Sequence, residues 1–173
     1  LVDAGLKADG EGILRRIRTM GVQVPLIFLT HTHYDHTGGV EAVRQETGAK
    51  VIVGEEETEF LRRGHTPVPQ GTGAFSRCLS RIAHSLQPKT RENYAPVTRD
   101  IMVAGEAGSL AEGGLKATYV HLGAHSSGSV GLLLGDYFFA GDTVFGIGPV
   151  IYPPFADMAE EIPDAWRKII GSG

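Results

Sequence analysis

The sequence predicts an α/β fold, and three observations lead to that prediction. Residues 24–29 form a short apolar run of the kind expected of a strand buried on both faces. A helical stretch and a second apolar run follow, which is the order of a β-α-β unit. The second half of the chain is rich in strand-like segments, and 24 glycines among 173 residues punctuate short elements throughout.

The first half of the chain alternates between the two kinds of element. Asp9 is the candidate N-cap of a first helix, which Gly21 ends and whose apolar face contains Ile13, Leu14, Ile17 and Met20. The strand at 24–29 comes next. It is followed by a helix, a strand and a helix, predicted at residues 40–47, 50–53 and 55–63.

Residues 64–96 form the least regular part of the sequence. Their glycines and prolines surround one predicted helix at 74–86, whose apolar positions recur at steps of three and four: Phe75, Leu79, Ile82 and Leu86. Cys78 is expected to be a small buried residue of this helix. We expect one domain over residues 1–173, in which 64–96 is an insertion or lid.

The remainder of the chain is predicted to be mostly strands. They lie at 101–104, 115–122, 130–134 and 137–140, and Gly135 and Asp136 form a two-residue hairpin turn. A last helix covers about residues 157–170.

Composition excludes several classes of function. The net charge of −4 without a block of like charges disfavours nucleic acid and acidic membrane surfaces as partners. No apolar run approaches the roughly 20 residues of a spanning helix. The single cysteine, Cys78, cannot form an internal disulfide, which suits a reducing, cytoplasmic location. A small-molecule substrate is the expected partner.

The segment from His31 to His36 reads His-Thr-His-Tyr-Asp-His, directly after a predicted buried strand. In extended backbone, residues two apart point the same way, so His31 and His33 are expected to converge on one metal ion. The following turn is expected to direct Asp35 and His36 to a neighbouring site. Imidazole and carboxylate suit zinc, iron, manganese or nickel. The alternative is a set of surface histidines in which Asp35 caps a helix.

Four segments of the sequence resemble, in order, signatures of the metallo-β-lactamase superfamily. They are Leu-Val-Asp-Ala-Gly at 1–5, residues 30–39 around the histidines, Gly-Ala-His-Ser-Ser-Gly-Ser at 123–129, and Gly-Asp-Thr at 141–143. The resemblance implies an αββα sandwich and a metal-dependent hydrolase. It also implies one or two zinc ions, with iron or manganese as open alternatives.

The resemblance also implies the role of each site residue. His31, His33 and His125 would hold the first metal, Asp35 and His36 would help to hold the second, and Asp142 would bridge both. Asp3 matches a carboxylate that supports the ligands from behind. Without the resemblance, His125 in its Gly- and Ser-rich loop and Asp142 after a strand could equally be ordinary loop residues.

The sequence departs from this family at its ends. No histidine follows His125, although family members usually supply one more to the second metal, and the sequence starts abruptly at Leu1. We therefore expect a chain that lacks its first strands and its last strand and loop, and that holds its second ion more weakly. Missing strands would expose a sheet edge, which favours association with another copy.

Hydrolysis of a small ester, thioester or lactone, as in glyoxalase-II-like members of the family, is the predicted reaction. A metal-activated hydroxide would attack, and Asp35 would orient it and later help to protonate the leaving group. Three alternatives stay open: hydrolysis of a β-lactam, oxidation of a persulfide by mononuclear iron, and a truncated binding module without catalysis.

Overall fold

The computed structural model describes residues 1–86, 93–111, 114–146 and 150–172, and these form two compact units. Unit 1 comprises Leu1–Thr66 and Thr90–Val103, and unit 2 comprises Pro67–Lys89 and Ala104–Gly173. Both units combine helices with sheets, which confirms the predicted α/β class. The prediction of one domain with an insertion at 64–96 stays a prediction, and residues 87–92 of that insertion lie outside the described residues.

Unit 1 contains four helices and three strands among its described residues. The helices are α1 Gly10–Met20, α2 Tyr34–Thr37, α3 Val40–Thr47 and α4 Thr58–Arg63. The strands are β1 Leu26–Phe28, β2 Lys50–Gly54 and β3 Ile101–Val103. Short 3-10 turns precede α1 and α4, at Lys7–Asp9 and Glu55–Glu57.

The sheet of unit 1 is parallel, in the order β1-β2-β3. The start of the chain runs beside β1, where Val2 forms a bridge with Phe28 and Asp3 donates its N–H to the Phe28 carbonyl over 2.9 Å. The side chain of Asp3 therefore comes to the point at which β1 ends.

A continuous apolar core explains why the strands of unit 1 read as unbroken hydrophobic runs. Consecutive residues of β2, Val51, Ile52 and Val53, are fully buried, as a sheet covered on both faces requires. The residues of this core come from strands, helices and loops: Ala4, Leu14, Val24, Ile27, Leu29, Val40, Val43, Ala49, Val51, Val53, Leu61, Tyr94 and Val97.

Unit 2 contains two helices and six strands among its described residues. The helices are α5 Ala74–Leu86 and α6 Ile162–Ile170. The strands are β4 Ala107–Ser109, β5 Thr118–His121, β6 Val130–Leu134, β7 Tyr137–Phe139, β8 Phe145–Gly146 and β9 Val150–Ile151. The 3-10 turns are Gly141–Thr143 and Ala159–Glu161.

The main sheet of unit 2 is antiparallel, in the order β4-β5-β6-β7. Leu134 pairs with Tyr137, so the two-residue turn predicted at Gly135 and Asp136 is confirmed. Helix α6 packs on this unit through Ile162 and Ala165, and the Trp166 indole N–H donates to the Thr143 carbonyl over 2.8 Å. That bond ties α6 to the turn that carries Asp142.

The first helix differs from its prediction in two details. Asp9 occupies the N-cap position of α1, but its carboxylate accepts the backbone N–H of Leu6 over 2.8 Å and caps no helical N–H. Met20 is exposed, whereas Leu14 is buried and Ile13 and Ile17 pack against the core. The apolar face therefore ends one turn before the helix does.

Helix α5 has the predicted bounds but not the predicted orientation. Its apolar residues Phe75, Leu79, Ile82 and Leu86 are exposed, and the prediction that Cys78 is buried is wrong. The buried residues are the serines at 76 and 80, which permit a close approach to the preceding loop. Ser80 donates its hydroxyl to the Pro69 carbonyl over 2.8 Å.

Several short elements were not predicted. They are α2, β4, β8, β9 and the 3-10 turns, each of only two to four residues. The strands predicted at 24–29 and 115–122 are shorter in the structure, since β1 and β5 cover only 26–28 and 118–121. Within the described ranges, no helix combines the length and apolar character needed to cross a membrane.

Two leucines with opposite environments test the assignment of the core. Leu61 is 0% exposed in unit 1 and Leu86 is 76% exposed at the end of α5. We expect Leu61→Ala to lower the free energy of unfolding by about 2–5 kcal/mol, because it leaves a cavity, and Leu86→Ala to change it by less than about 0.5 kcal/mol. Urea denaturation followed by far-ultraviolet circular dichroism measures both. Equal effects of the two substitutions would contradict the assignment.

Candidate metal centre

The histidine-rich segment follows β1 directly and ends in the single-turn helix α2. His31 and His33 are buried, at 1% and 5% exposure, and His33 is the extended residue that precedes α2. Such a strand-end position is where the carboxyl end of a parallel strand delivers functional side chains. The segment is therefore held by the sheet on one side and by α2 on the other.

Three imidazoles come together within unit 1. The ring centroids of His31 and His33 are 4.6 Å apart, and those of His31 and His36 are 4.1 Å apart. The single turn of α2 brings His36 to the side of His31, and the expectation that His36 serves a neighbouring site stays a prediction. Asp35, in the same turn, is exposed and stands outside this set of rings.

The carboxylate of Asp3 connects the strand end to the histidines. It accepts the backbone N–H of Thr30 over 2.9 Å, the Thr30 hydroxyl over 2.8 Å and the His36 Nδ1–H over 2.8 Å. Asp3 has a positive φ of 51°, a conformation that aspartate tolerates better than most residues. The supporting role that the resemblance implies for Asp3 matches these contacts.

These hydrogen bonds determine which nitrogen of each ring carries the proton. A carboxylate only accepts, so His36 must donate from Nδ1 to Asp3. Thr30 gives its single hydroxyl proton to Asp3, so the 3.1 Å contact between Thr30 Oγ1 and His31 Nδ1 requires His31 to donate. In its neutral form each ring therefore carries the lone pair on Nε2, which is the form that binds a metal.

Thr32, between two of the histidines, faces a different partner. Its backbone N–H donates over 2.9 Å to the fully buried carboxylate of Glu57, and its hydroxyl donates to the same carboxylate. The Thr66 hydroxyl donates to the Thr32 carbonyl over 2.7 Å. Buried carboxylates are stable only when hydrogen-bonded, so this network fixes the backbone between His31 and His33.

Tyr94 completes the network that surrounds Thr32. Its hydroxyl lies 2.8 Å from the Thr66 hydroxyl. Burial raises the pKa of Tyr94 to about 12, hydrogen bonds with Thr66 and Thr32 oppose the rise, and the negative charge of Glu57 adds to it. Tyr94 therefore remains a neutral donor at physiological pH.

Unit 2 supplies His125 from the loop between β5 and β6. Gly123 and Ala124 both have positive φ, at 60° and 64°, which makes the sharp bend that precedes the histidine. A left-handed alanine is strained by roughly 1–2 kcal/mol, and such strain is concentrated at functional sites. The Asp157 N–H donates to the His125 carbonyl over 3.0 Å and secures the bend from the other side.

His125 is oriented by backbone rather than by a carboxylate. Its Nδ1–H donates to the Phe155 carbonyl over 3.0 Å, which leaves the lone pair on Nε2. Nε2 lies 3.9 Å from Oδ2 of Asp142, so unit 2 brings its two predicted ligands together. Asp142 lies in the 3-10 turn Gly141–Thr143, directly after β7.

The donor atoms of each unit suit a transition-metal ion. Imidazole nitrogens and carboxylate oxygens are borderline to hard ligands, typical of zinc, iron or manganese sites. Three of the rings have Nδ1 engaged by a hydrogen bond, which is the usual arrangement of metal-binding histidines. The residues present therefore fit a metal ion, without specifying which one.

Sequence reasoning missed Glu57, Thr66 and Tyr94. Glu57 closes a run of three glutamates, which is the usual appearance of a solvated surface. The available signal was the spacing between Glu57 and Leu61. Glu57 lies four residues before the buried Leu61, so both lie on the same face of the helical segment. Thr66 and Tyr94 carry no comparable signal in the sequence.

Asp3→Asn tests the support of the histidines. Asparagine keeps the shape and tolerates the positive φ, but it loses the charge that holds Nδ1–H of His36. We expect the affinity for zinc to fall by about 10- to 100-fold, measured by competition with a chromogenic chelator. The control is Asp136→Asn, in the exposed hairpin turn, which should leave the affinity unchanged. An unchanged affinity in Asp3→Asn would show that the carboxylate plays no part in binding.

Tyr94 predicts a specific dependence of stability on pH. The folded protein keeps the phenol proton up to about pH 12, whereas the unfolded chain releases it near pH 10. The free energy of unfolding should therefore fall as pH rises from about 10 to 12, by about 2–3 kcal/mol from this group. Urea denaturation of the wild type and of Tyr94→Phe across this range isolates the effect. Parallel pH profiles for the two proteins would contradict it.

Comparison with known proteins places the chain in a family. Residues 1–171 match the family described as the metallo-beta-lactamase superfamily. Among solved structures, the BLEG-1 B3 metallo-beta-lactamase is similar with a TM-score of 0.70 and 20% identity, covering 98% of this chain and 73% of that one. This likeness confirms the predicted metallo-β-lactamase type of fold.

Several curated relatives carry functional names, among them the following two. A hydroxyacylglutathione hydrolase of Shewanella pealeana is 27% identical over 148 residues, which are 86% of this chain and 42% of the relative. A probable polyketide biosynthesis zinc-dependent hydrolase, BaeB of Bacillus velezensis, is 23% identical over 162 residues, 94% of this chain and 57% of the relative. The chain thus spans about two fifths to three fifths of these relatives. With its match over nearly the whole sequence, it belongs to the metallo-beta-lactamase superfamily.

Proposed function

We propose that the ligands of the two units form one metal centre and that the chain is the metal-binding part of a zinc-dependent hydrolase. The ligands are His31, His33, Asp35, His36, His125 and Asp142. The observation that carries the proposal is the common hydrogen-bond pattern, in which Nδ1 of His31, His36 and His125 each contacts an oxygen atom, as is usual for metal-binding histidines. Family membership supports joining the two sets of ligands.

Zinc is the proposed metal because a relative is named for its dependence on it. The bound ion would supply a water of lowered pKa and a positive charge beside the developing oxyanion. Asp3 and Thr30 hold the histidines in the tautomer that the reaction needs. Asp35 is the proposed acid–base residue, and its exposed place in the first turn of α2 leaves it accessible to substrate.

The proposed substrate is a small ester, thioester or lactone, with a thioester favoured. Support comes from the relatives named hydroxyacylglutathione hydrolase, since hydroxyacylglutathione is a thioester. The similar BLEG-1 B3 metallo-beta-lactamase is 20% identical to this chain, so its likeness concerns the fold and does not favour a β-lactam.

The position of Asp35 is relevant to the number of metal ions that the chain binds. Its carboxylate lies outside the set of imidazoles in unit 1. We therefore propose that one ion is held tightly and that a second is held more weakly.

Replacement of the central histidines tests the proposal. His31→Ala and His33→Ala should lose tightly bound zinc and reduce hydrolysis of S-D-lactoylglutathione to the rate of metal-free protein, because each removes a ligand. Metal analysis and release of free thiol measure the two effects. The control is His121→Ala, whose imidazole bonds the Ser127 carbonyl and lies outside the ligand set.

Retained turnover in chelator-treated His31→Ala protein would contradict the proposal. Two tightly held zinc equivalents per wild-type chain would contradict the proposed difference between the ions.

A further inference from the structure

A pocket of unit 2 lies beside α5 and contains none of the proposed metal ligands. It has a volume of about 340 Å³, within the range of small-molecule sites. Its lining residues come from α5 and the loop before it: Gln70, Gly71, Arg77, Ser80, Arg81 and His84. Arg77, Arg81 and His84 are spaced at i, i+4 and i+7, so they follow one face of the helix.

The two arginines of this pocket are not neutralised by ion pairs within the described residues, and the nearby carboxylate of Asp157 interacts with His84 and accepts the Gln70 N–H over 3.2 Å. Helix α5 contains no aspartate or glutamate, and two arginines at i and i+4 disfavour each other. Neither Arg77 nor Arg81 forms an ion pair with any residue in the described part of the chain. The arginines of the described residues that do pair with carboxylates lie elsewhere: Arg18, Arg44, Arg62, Arg63 and Arg167.

The backbone of the loop fixes Arg77 in place. Its Nε–H donates to the Gly71 carbonyl over 3.3 Å and its Nη2 donates to the Thr72 carbonyl over 3.2 Å. A Cβ at position 71 would lie 2.1 Å from the backbone N of Arg77, so only glycine permits this approach. The guanidinium has five N–H donors, and those not used by the loop remain available for a ligand.

The same loop is hydrogen-bonded to the segment at Phe155 and Ala156, which orients His125. Gly71 forms a bridge with Phe155, and the Ala156 N–H donates to the Gln70 carbonyl over 2.8 Å. The Phe155 carbonyl is the acceptor of the His125 Nδ1–H. The loop that lines one wall of the pocket is therefore hydrogen-bonded to the segment whose Phe155 carbonyl orients the proposed metal ligand His125.

We propose that Arg77, Arg81 and His84 form a subsite for an anionic group of the substrate, a carboxylate or a phosphate. Guanidinium groups bind both through paired, charge-assisted hydrogen bonds. The inference rests on the proposed function and narrows its substrate to negatively charged thioesters. The anionic end binds beside α5 while the thioester reaches the centre that contains His125.

Binding of unreactive anions tests the subsite without catalysis. Isothermal titration calorimetry of the zinc-loaded 173-residue chain uses S-methylglutathione as the carboxylate probe and adenosine 3′,5′-bisphosphate as the phosphate probe. We expect Arg81→Ala to raise the Kd of the preferred anion by about tenfold, as expected for a lost charge-assisted contact, and Arg81→Glu to raise it further. The control is Arg16→Ala, which removes an exposed arginine of α1.

Kinetics of two thioesters provide the second readout. S-D-lactoylglutathione is anionic, and the lactoyl thioester of N-acetylcysteamine is neutral. Arg81→Ala should raise KM for the anionic substrate by about tenfold with kcat unchanged, and should leave both constants for the neutral one unchanged. Arg81 is exposed and makes no bond to the loop, so its replacement leaves the contacts of Arg77 intact.

The outcomes separate this proposal from the proposed function. Anion binding that depends on Arg81, in a protein that hydrolyses neither thioester, would support the subsite and refute hydrolysis of thioesters. Hydrolysis of both thioesters with no effect of Arg81→Glu would support the hydrolase and overturn the subsite. Absence of saturable binding of either anion to the wild type would also overturn the subsite.

Discussion

The arrangement of unit 1 depends on the hydrogen bonds that the carboxylate of Asp3 accepts. Asp3 belongs to the first segment of the chain, which runs beside β1. Its carboxylate accepts the backbone N–H and the hydroxyl of Thr30 at the end of β1, and the imidazole N–H of His36 in α2. Three separate parts of the chain are therefore joined. A partly buried charge needs such partners to offset its lost hydration. The same hydrogen bonds that stabilise this charge also orient the imidazoles of His31 and His36. The proposed metal ligands are therefore positioned as unit 1 folds.

The parts of the fold that the sequence could predict are those governed by local pattern. Unbroken apolar runs indicate strands covered on both faces, and helices α3 and α5 have the predicted bounds. Periodicity shows that a helix has an apolar face, but it does not show what covers that face. Helix α5 illustrates this limit, because it packs through Ser76 and Ser80 and leaves Leu79 and Ile82 exposed. Elements of two or three residues, such as β8, are set by long-range pairing.

In the candidate site, too, local sequence pattern predicts some features, and long-range contacts determine the others. The spacing of His31 and His33 predicts their convergence, since extended backbone repeats every two residues. The return of His36 to His31 could not be predicted, because it depends on α2 closing a single turn toward Asp3. Glu57 could not be distinguished from its solvated neighbours by residue type, and only the fold reveals that it is buried against Thr32.

Successive side chains of the short loop after β1 face alternate sides. His31 and His33 turn their rings toward each other, while the intervening Thr32 turns toward Glu57 on the opposite side. The odd positions thus carry the proposed metal ligands, and the even position holds the backbone through its hydrogen bonds to Glu57. Gain or loss of one residue would exchange the two roles and direct a hydroxyl at the proposed metal site and an imidazole into the buried network.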